Sequence, residues 1–252
     1  MLAQNANQVT PFVCDQTVPS PHHGGLRTET HFVILHATQM TPLQAVLNHF
    51  QAPQSKVSCH YVVDVDGACT NVVHPTHIAW HAGKSAWKAH TGLNNTSVGI
   101  ELVYPLVTRE QSYPPFPQKQ IQTLHKLVNH LCAQYKIAYT DILAHSDIAP
   151  ERKLDPGPAL PWHTLKWGPV HGRATGFAAK QMERTIALFQ AMPPSEAQLL
   201  TWLQALGYAA TPQNMKETLW SFACHLEHPS AATNRALLST YLAHLSNAVT
   251  PA

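Results

Sequence analysis

AHSDIAPERKLDPGPALPW, residues 144–162, brings together a histidine (His145), a lysine (Lys153), a carboxylate (Asp155) and, just after them, three prolines. Proline-rich and sparing of aliphatics, it is expected to form a rigid polar rim rather than core. His145 and Asp155 offer nitrogen and oxygen donors for a divalent metal, and zinc is the commonest ion for such a pair. Lys153 places a cation two residues from the carboxylate. Taken alone, the stretch reads equally well as a surface loop with an ordinary ion pair. The remaining partners have to come from elsewhere in the chain.

Upstream, 141–144 reads as a short strand that delivers His145 to the loop. Before it, Ile121, Leu124, Val128, Leu131 and Tyr135 form the apolar stripe of an amphipathic helix over 118–135. SVGIELV (97–103) is an apolar strand with Glu101 inside it, a costly place for a carboxylate unless it is paired or faces a polar site. AWHAGKSAW (79–87) mixes Trp80, His81 and Trp87 without period, and is either loop packing or the wall of a cleft. HYVVDVDGACTNVV (60–73) is a hairpin turning at Asp66–Gly67. HFVILHAT (31–38) is a buried strand ending at His36, followed by a helix that starts at Thr41–Pro42 and carries Leu43, Val46, Leu47 and Phe50. Residues 1–30 are polar and aperiodic, and read as an arm wrapping the surface.

Downstream, composition shifts at Met192–Pro193–Pro194. Three helix-sized segments follow: one ending at Gly207, one from Thr211–Pro212 through Leu226, and one over about 232–245. The fold class is therefore α/β (α+β), a central mixed β-sheet flanked by helices, plus a small C-terminal three-helix bundle. The expected domains are 1–192 and 193–252. His225 and His228 read as surface histidines of the bundle.

A net charge of +2 without blocks of like charge gives no reason to expect nucleic acid. No apolar run is long enough for a membrane span. The five cysteines include no C-x-x-C pair and are odd in number, which argues against a disulfide framework and against a cysteine zinc cluster. Free thiols favour a reducing compartment. The first residues lack a basic start and an apolar core, so the chain as written is expected to be cytoplasmic, with a periplasmic or outer-membrane-anchored location as the alternative if a leader had been removed. With eighteen histidines, a lone one carries little information and only a constellation counts.

That constellation is His36, His145 and Asp155, with Glu101 and Lys153 beside it. Two histidines and a carboxylate match the ligand count of a catalytic zinc site with one position open. A carboxylate and an ammonium could supply a general base and an oxyanion stabiliser.

The blocks VILHAT, VSCHYVVDVDG, AWHAGKSAW, LNNTSVGIEL and AHSDIAPERKLDPGPALPW occur in the order seen in zinc-dependent N-acetylmuramoyl-L-alanine amidases. The chain resembles the AmpD/AmiD type, related to phage lysozyme-type amidases and animal peptidoglycan recognition proteins, over about residues 30–165. The resemblance implies one zinc per chain bound by His36, His145 and Asp155, with Glu101 and Lys153 assisting catalysis. It places Trp80, His81 and Asn94 in motifs lining the substrate cleft. It also implies hydrolysis of the amide between N-acetylmuramic acid, possible also in its 1,6-anhydro form, and the L-alanine of the stem peptide. Peptidoglycan or muramyl-peptide fragments are the expected partners of a monomeric enzyme, and 193–252 resembles a peptidoglycan-binding-like helical domain. A non-catalytic recognition module with a structural zinc is the alternative. The chain departs from the family pattern at Ala37, Cys59 and Glu151, none of them an implied ligand.

Overall fold

The computed structural model describes residues 12–106, 108, 113–171 and 179–226. Its strands are β1 (Gln16–Thr17), β2 (His23–Leu26), β3 (Phe32–Ala37), β4 (Tyr61–Val63), β5 (Cys69–Asn71), β6 (His77–Ala79), β7 (Ala86–Trp87), β8 (His90–Thr91), β9 (Ser97–Leu102) and β10 (Ile142–Ala144). Its α-helices are α1 (Leu43–Gln51), α2 (Gln118–Tyr135), α3 (His145–Ile148), α4 (Trp162–Leu165), α5 (Gly168–His171), α6 (Ala179–Ala191), α7 (Glu196–Leu206) and α8 (Met215–Cys224). Six strands form one mixed sheet in the order β1-β5-β4-β9-β3-β10. Only the β4–β5 hairpin is antiparallel within it. No described helix is long and apolar enough to cross a membrane.

The period-two alternation of the central strands sorts side chains into two layers. Val33, Leu35 and Ala37 of β3, with Val98, Ile100 and Leu102 of β9, pack in one cluster with Leu124, Leu127, Val128 and Leu131 of α2. All four of those helix residues are fully buried, so truncating Leu124 to Ala should cost about 2–5 kcal/mol. Phe32 and Ile34 belong to the opposite layer, with Leu143 of β10 and the apolar faces of α7 and α8. His36 follows Phe32 and Ile34 at the same spacing and so shares that second face.

Residues 144–162 are not the polar rim that their composition suggests. His145, Ser146, Asp147, Ile148 and Asp155 are all buried, and Leu160 and Trp162 lie in the α2-side cluster. The cause is α8 and the residues flanking it, which cover the start of the stretch and supply partners for its polar groups. Asp147 accepts hydrogen bonds from the Ala144 amide (2.7 Å), Tyr208 Oη (2.9 Å), Ser221 Oγ (2.7 Å) and His225 Nε2 (2.8 Å). His225 is accordingly 1% exposed, not a surface histidine.

The leading segment also does more than wrap the surface. β1 runs parallel to β5, Gln16 opposite Thr70, and closes one edge of the sheet. The Asp15, Val18 and Ser20 amides donate to Cys69, Asn71 and Val72 carbonyls, so this edge is paired and not open. A strand of two residues leaves no periodicity to read. Further on, α7 is capped by Ser195, whose side chain pairs with Gln198, and ends at Gly207 with φ +119°. The predicted helix over 232–245 and His228 lie outside the described residues.

Candidate active site

Parallel pairing aligns the functional side chains. In the β3–β9 register His36 stands opposite Glu101, and in the β3–β10 register Leu35 stands opposite Ala144, which places His145 at the next position. Glu101, His36 and His145 thus form a row across three adjacent strands at their carboxyl ends, the edge where open α/β sheets hold ligands. Asp155 is brought back to this row by the loop after α3, whose Ser146 amide donates to the Asp155 carbonyl (3.0 Å).

Three donor atoms converge there. His36 Nδ1 lies 2.8 Å from His145 Nδ1 and 3.3 Å from Asp155 Oδ2, and His145 Nδ1 lies 3.0 Å from the same oxygen. All three residues are buried, and together they form a group able to hold a metal ion. Burial pushes the His36 pKa down, to about 4, and the neighbouring His145 adds to that. Burial alone would raise the Asp155 carboxyl, but His145 and His36 hold it well below the usual carboxylate range. A neutral His36 imidazole and an ionised Asp155 carboxylate are protonation states that metal ligation requires.

Hydrogen bonds behind His36 select its tautomer. Ser97 Oγ donates to the Leu93 carbonyl (2.6 Å), so its oxygen is left to accept from His81 Nε2 (3.2 Å). His81 Nδ1 then accepts from His36 Nε2 at 2.9 Å, which leaves the lone pair of His36 Nδ1 facing His145 and Asp155. Such a partner fixes ring orientation and basicity of a ligating histidine. The His81 ring has room only because residue 99 is glycine: a Cβ there would sit 2.5 Å from the ring. Burial, then the charges that His36 and His60 would carry, keep His81 neutral.

Glu101 lies on the same face. Its Oε2 is buried without a hydrogen-bond partner, and burial, reinforced by Asp155 and opposed by Lys153, raises its pKa well above the ordinary carboxylate value. Lys153 and Trp80 line a cleft of about 230 Å³ together with Glu101, His145 and Asp155. Trp80 is 36% exposed and rests on His22 with ring centroids 5.7 Å apart.

The predicted residues therefore separate by place. His36, His145 and Asp155 meet, Glu101 and Lys153 border them, and Trp80 forms cleft wall. His81 touches the cleft but its two ring nitrogens are engaged behind His36. Asn94 is not among the lining residues; its Oδ1 accepts from the His81 amide (3.0 Å) and the Ala82 amide (2.7 Å), bracing the 79–87 loop. Ser97 and Gly99 were not anticipated as functional. The available signal was a serine, a glycine and a glutamate alternating with Val98, Ile100 and Leu102 in a strand otherwise fit for core.

The model of the family described as N-acetylmuramoyl-L-alanine amidase matches residues 26–158. The chain belongs to that family. It is 34% identical over 190 residues to the N-acetylmuramoyl-L-alanine amidase AmiD of Escherichia coli (strain K12), covering 68% of this chain and 66% of that protein. The match thus spans just under two thirds of that relative's length. A solved structure of the amidase AmiD from E. coli, in complex with the substrate anhydro-N-acetylmuramic acid-L-Ala-D-gamma-Glu-L-Lys, is similar at a TM-score of 0.71 and 28% identity, covering 86% of this chain and 88% of that one. AMPDH3 from Pseudomonas aeruginosa is similar at a TM-score of 0.72 and 25% identity over 98% of each chain. The amidase family match includes His36, Glu101, His145, Lys153 and Asp155 within its bounds.

Proposed function

We propose that this amidase-family chain hydrolyses the amide between N-acetylmuramic acid and the L-alanine of a stem peptide, with one zinc ion held by His36 Nδ1, His145 Nδ1 and Asp155 Oδ2. The observation that carries the reading is the convergence of these three buried donors, two of which, His145 and Asp155, line a cleft together with Glu101 and Lys153. The donor set fits zinc: two imidazole nitrogens and one carboxylate oxygen, the ligand number of a catalytic site with a position left for water or substrate. When bound, zinc supplies Lewis acidity that polarises the scissile carbonyl and makes water a better nucleophile.

Around it the chain's own groups have separable tasks. Glu101 takes the proton of the attacking water at its carboxylate and returns it to the leaving nitrogen of L-alanine as the carbon–nitrogen bond breaks. Burial raises its pKa above the ordinary carboxylate value, which makes it a stronger proton acceptor than an exposed glutamate. Lys153 offers an ammonium to the carbonyl oxygen as negative charge develops there. Trp80 and Val57 give the cleft an apolar wall, against which a sugar ring or a peptide stem can lie. The substrate assignment rests on family membership and on the muramyl-peptide complex of the E. coli relative.

The test is turnover of a muramyl-L-alanyl peptide alongside zinc content. Wild type should bind one zinc per chain, lose activity to a chelator and regain it with zinc. His36→Ala, His145→Ala and Asp155→Ala should each lose both. Near-normal zinc and turnover in His145→Ala would overturn the ligand set. Zinc binding without hydrolysis of any muramyl peptide would favour a recognition module.

A further inference from the structure

Five cysteines are present and none is in a disulfide, but they are not equivalent. Cys59 and Cys132 are buried within the apolar clusters or against them. Cys224 lies on α8. Cys14 and Cys69 instead face each other, with Sγ atoms 3.3 Å apart, although 55 positions separate them in the chain.

The backbone around both sulfurs is pinned. The Asp15 amide donates to the Cys69 carbonyl (2.9 Å), and the Cys69 amide donates to Asp15 Oδ2 (2.7 Å). Cys69 is the first residue of β5, buried in the α2-side cluster, whereas Cys14 is half-buried at the start of the segment that becomes β1. A disulfide needs its sulfurs about 2.05 Å apart. Closing the remaining gap is within reach of a side-chain rotation at the more accessible Cys14. We propose that Cys14 and Cys69 are a disulfide-forming pair, oxidised by an external disulfide, whose bond staples the leading segment to the sheet edge that it covers.

The exchange balances. The Cys14 thiolate attacks one sulfur of the external disulfide and expels a thiolate, forming a mixed disulfide. Cys69 then attacks Cys14 Sγ, its proton passing to the second external thiolate as that group is expelled. The protein's two thiols lose two electrons and two protons, and the external disulfide is reduced to two thiols. The order of events follows from exposure, since Cys14 is the sulfur an external reagent reaches. The hydrogen bond between the two lowers the Cys14 pKa and, with burial, raises that of Cys69, so Cys14 is the thiolate that attacks first.

What the bond would hold is part of the cleft wall. Eight residues beyond Cys14, the His22 carbonyl accepts from Ser58 Oγ (2.5 Å), and the His22 ring packs on Trp80. β1 itself is only two residues long, so a covalent tie 55 residues apart would restrict the unfolded chain considerably.

The full chain should be incubated with oxidised glutathione or with dithiothreitol, and its thiols counted after denaturation. The reduced protein should show all five thiols and the oxidised protein three, with peptide mapping locating a Cys14–Cys69 cross-link. The oxidised chain should melt roughly 5–10 °C above the reduced one, a gap absent in Cys14→Ser. Five thiols remaining after oxidation, a cross-link between other cysteines, or only a glutathione adduct on Cys14 would overturn the proposal. None of these readouts depends on amidase activity.

Discussion

Glu101 and His81 are both buried beside the three converging donors, and their environments predict opposite phenotypes. Glu101 contributes no atom to the donor triad, so Glu101→Gln should keep its zinc and lose about 10²-fold or more in turnover, as a removed general base does. Zinc loss in that variant would make Glu101 a support of the ligand shell instead. His81 acts through His36. His81→Ala leaves the His36 Nε2 proton without its acceptor, and zinc affinity should fall about 10–100-fold in a chelator competition. Gly99→Ala should reproduce that loss, because its Cβ would occupy the space of the His81 ring. If both variants hold zinc as tightly as wild type, the chain of hydrogen bonds through Ser97 and His81 does not set the His36 tautomer.

Among the elements, α3 and α8 decide how His145 is held. Asp147 lies two residues past His145, and three of its donors, Tyr208, Ser221 and His225, come from the helical segment. A buried carboxylate deprived of such donors is expensive, each lost bond leaving about 1–3 kcal/mol unsatisfied. Phe32, Ile34 and Leu143 of the sheet are buried against α7 and α8. Cutting the chain after Met192 would therefore expose one face of the sheet as well as Asp147. The truncated chain is expected to show no cooperative melting transition and no hydrolysis of small muramyl peptides. A truncation that melts cooperatively and retains activity would show that 193–252 is an independent unit. Tyr208→Phe is the milder probe: a loss of about 1–2 kcal/mol in a urea titration, with the fold intact.

At the scale of the molecule, buried neutral histidines make the metal-free fold sensitive to acid. Burial and the adjacent Arg27 bring the His60 pKa down to about 3, and burial and His145 bring that of His36 to about 4. Unfolded, both titrate near ~6.5. Above that pH neither state takes up protons and stability is flat. Below it the unfolded chain gains protons that the folded chain refuses, so stability falls, by about 2 kcal/mol per histidine at pH ~5. Glu101 works in the opposite sense, its raised pKa favouring the fold as pH drops, so the comparison belongs in metal-free Glu101→Gln. Its urea midpoint should fall steadily from pH 7 to 5. An unchanged midpoint would mean that the buried histidines are protonated in the folded state.

Much of this protein was legible in the chain itself, for reasons that are local. α2 spans the residues whose apolar stripe announces it, and the hairpin turns through Asp66–Gly67, because a 3.6-residue period and a short turn are properties of short segments. His36, Glu101 and His145 stand out because each sits in or at the end of a β-prone run where an apolar residue would be expected. Their meeting is not a local property. It depends on the β9-β3-β10 register, set by pairing across 60 to 110 positions that no period within one segment encodes. The same holds for what composition misread. A stretch of proline and polar residues looked like rim because its partners, Tyr208, Ser221 and His225, lie about 60 to 80 residues away. His81 lines the cleft as expected, but its second task was not legible: only the folded sheet puts Gly99 beneath its ring and His36 against its nitrogen. Local periodicity determined the elements; which polar groups are buried, and by whom they are satisfied, was decided by packing between segments distant in the chain.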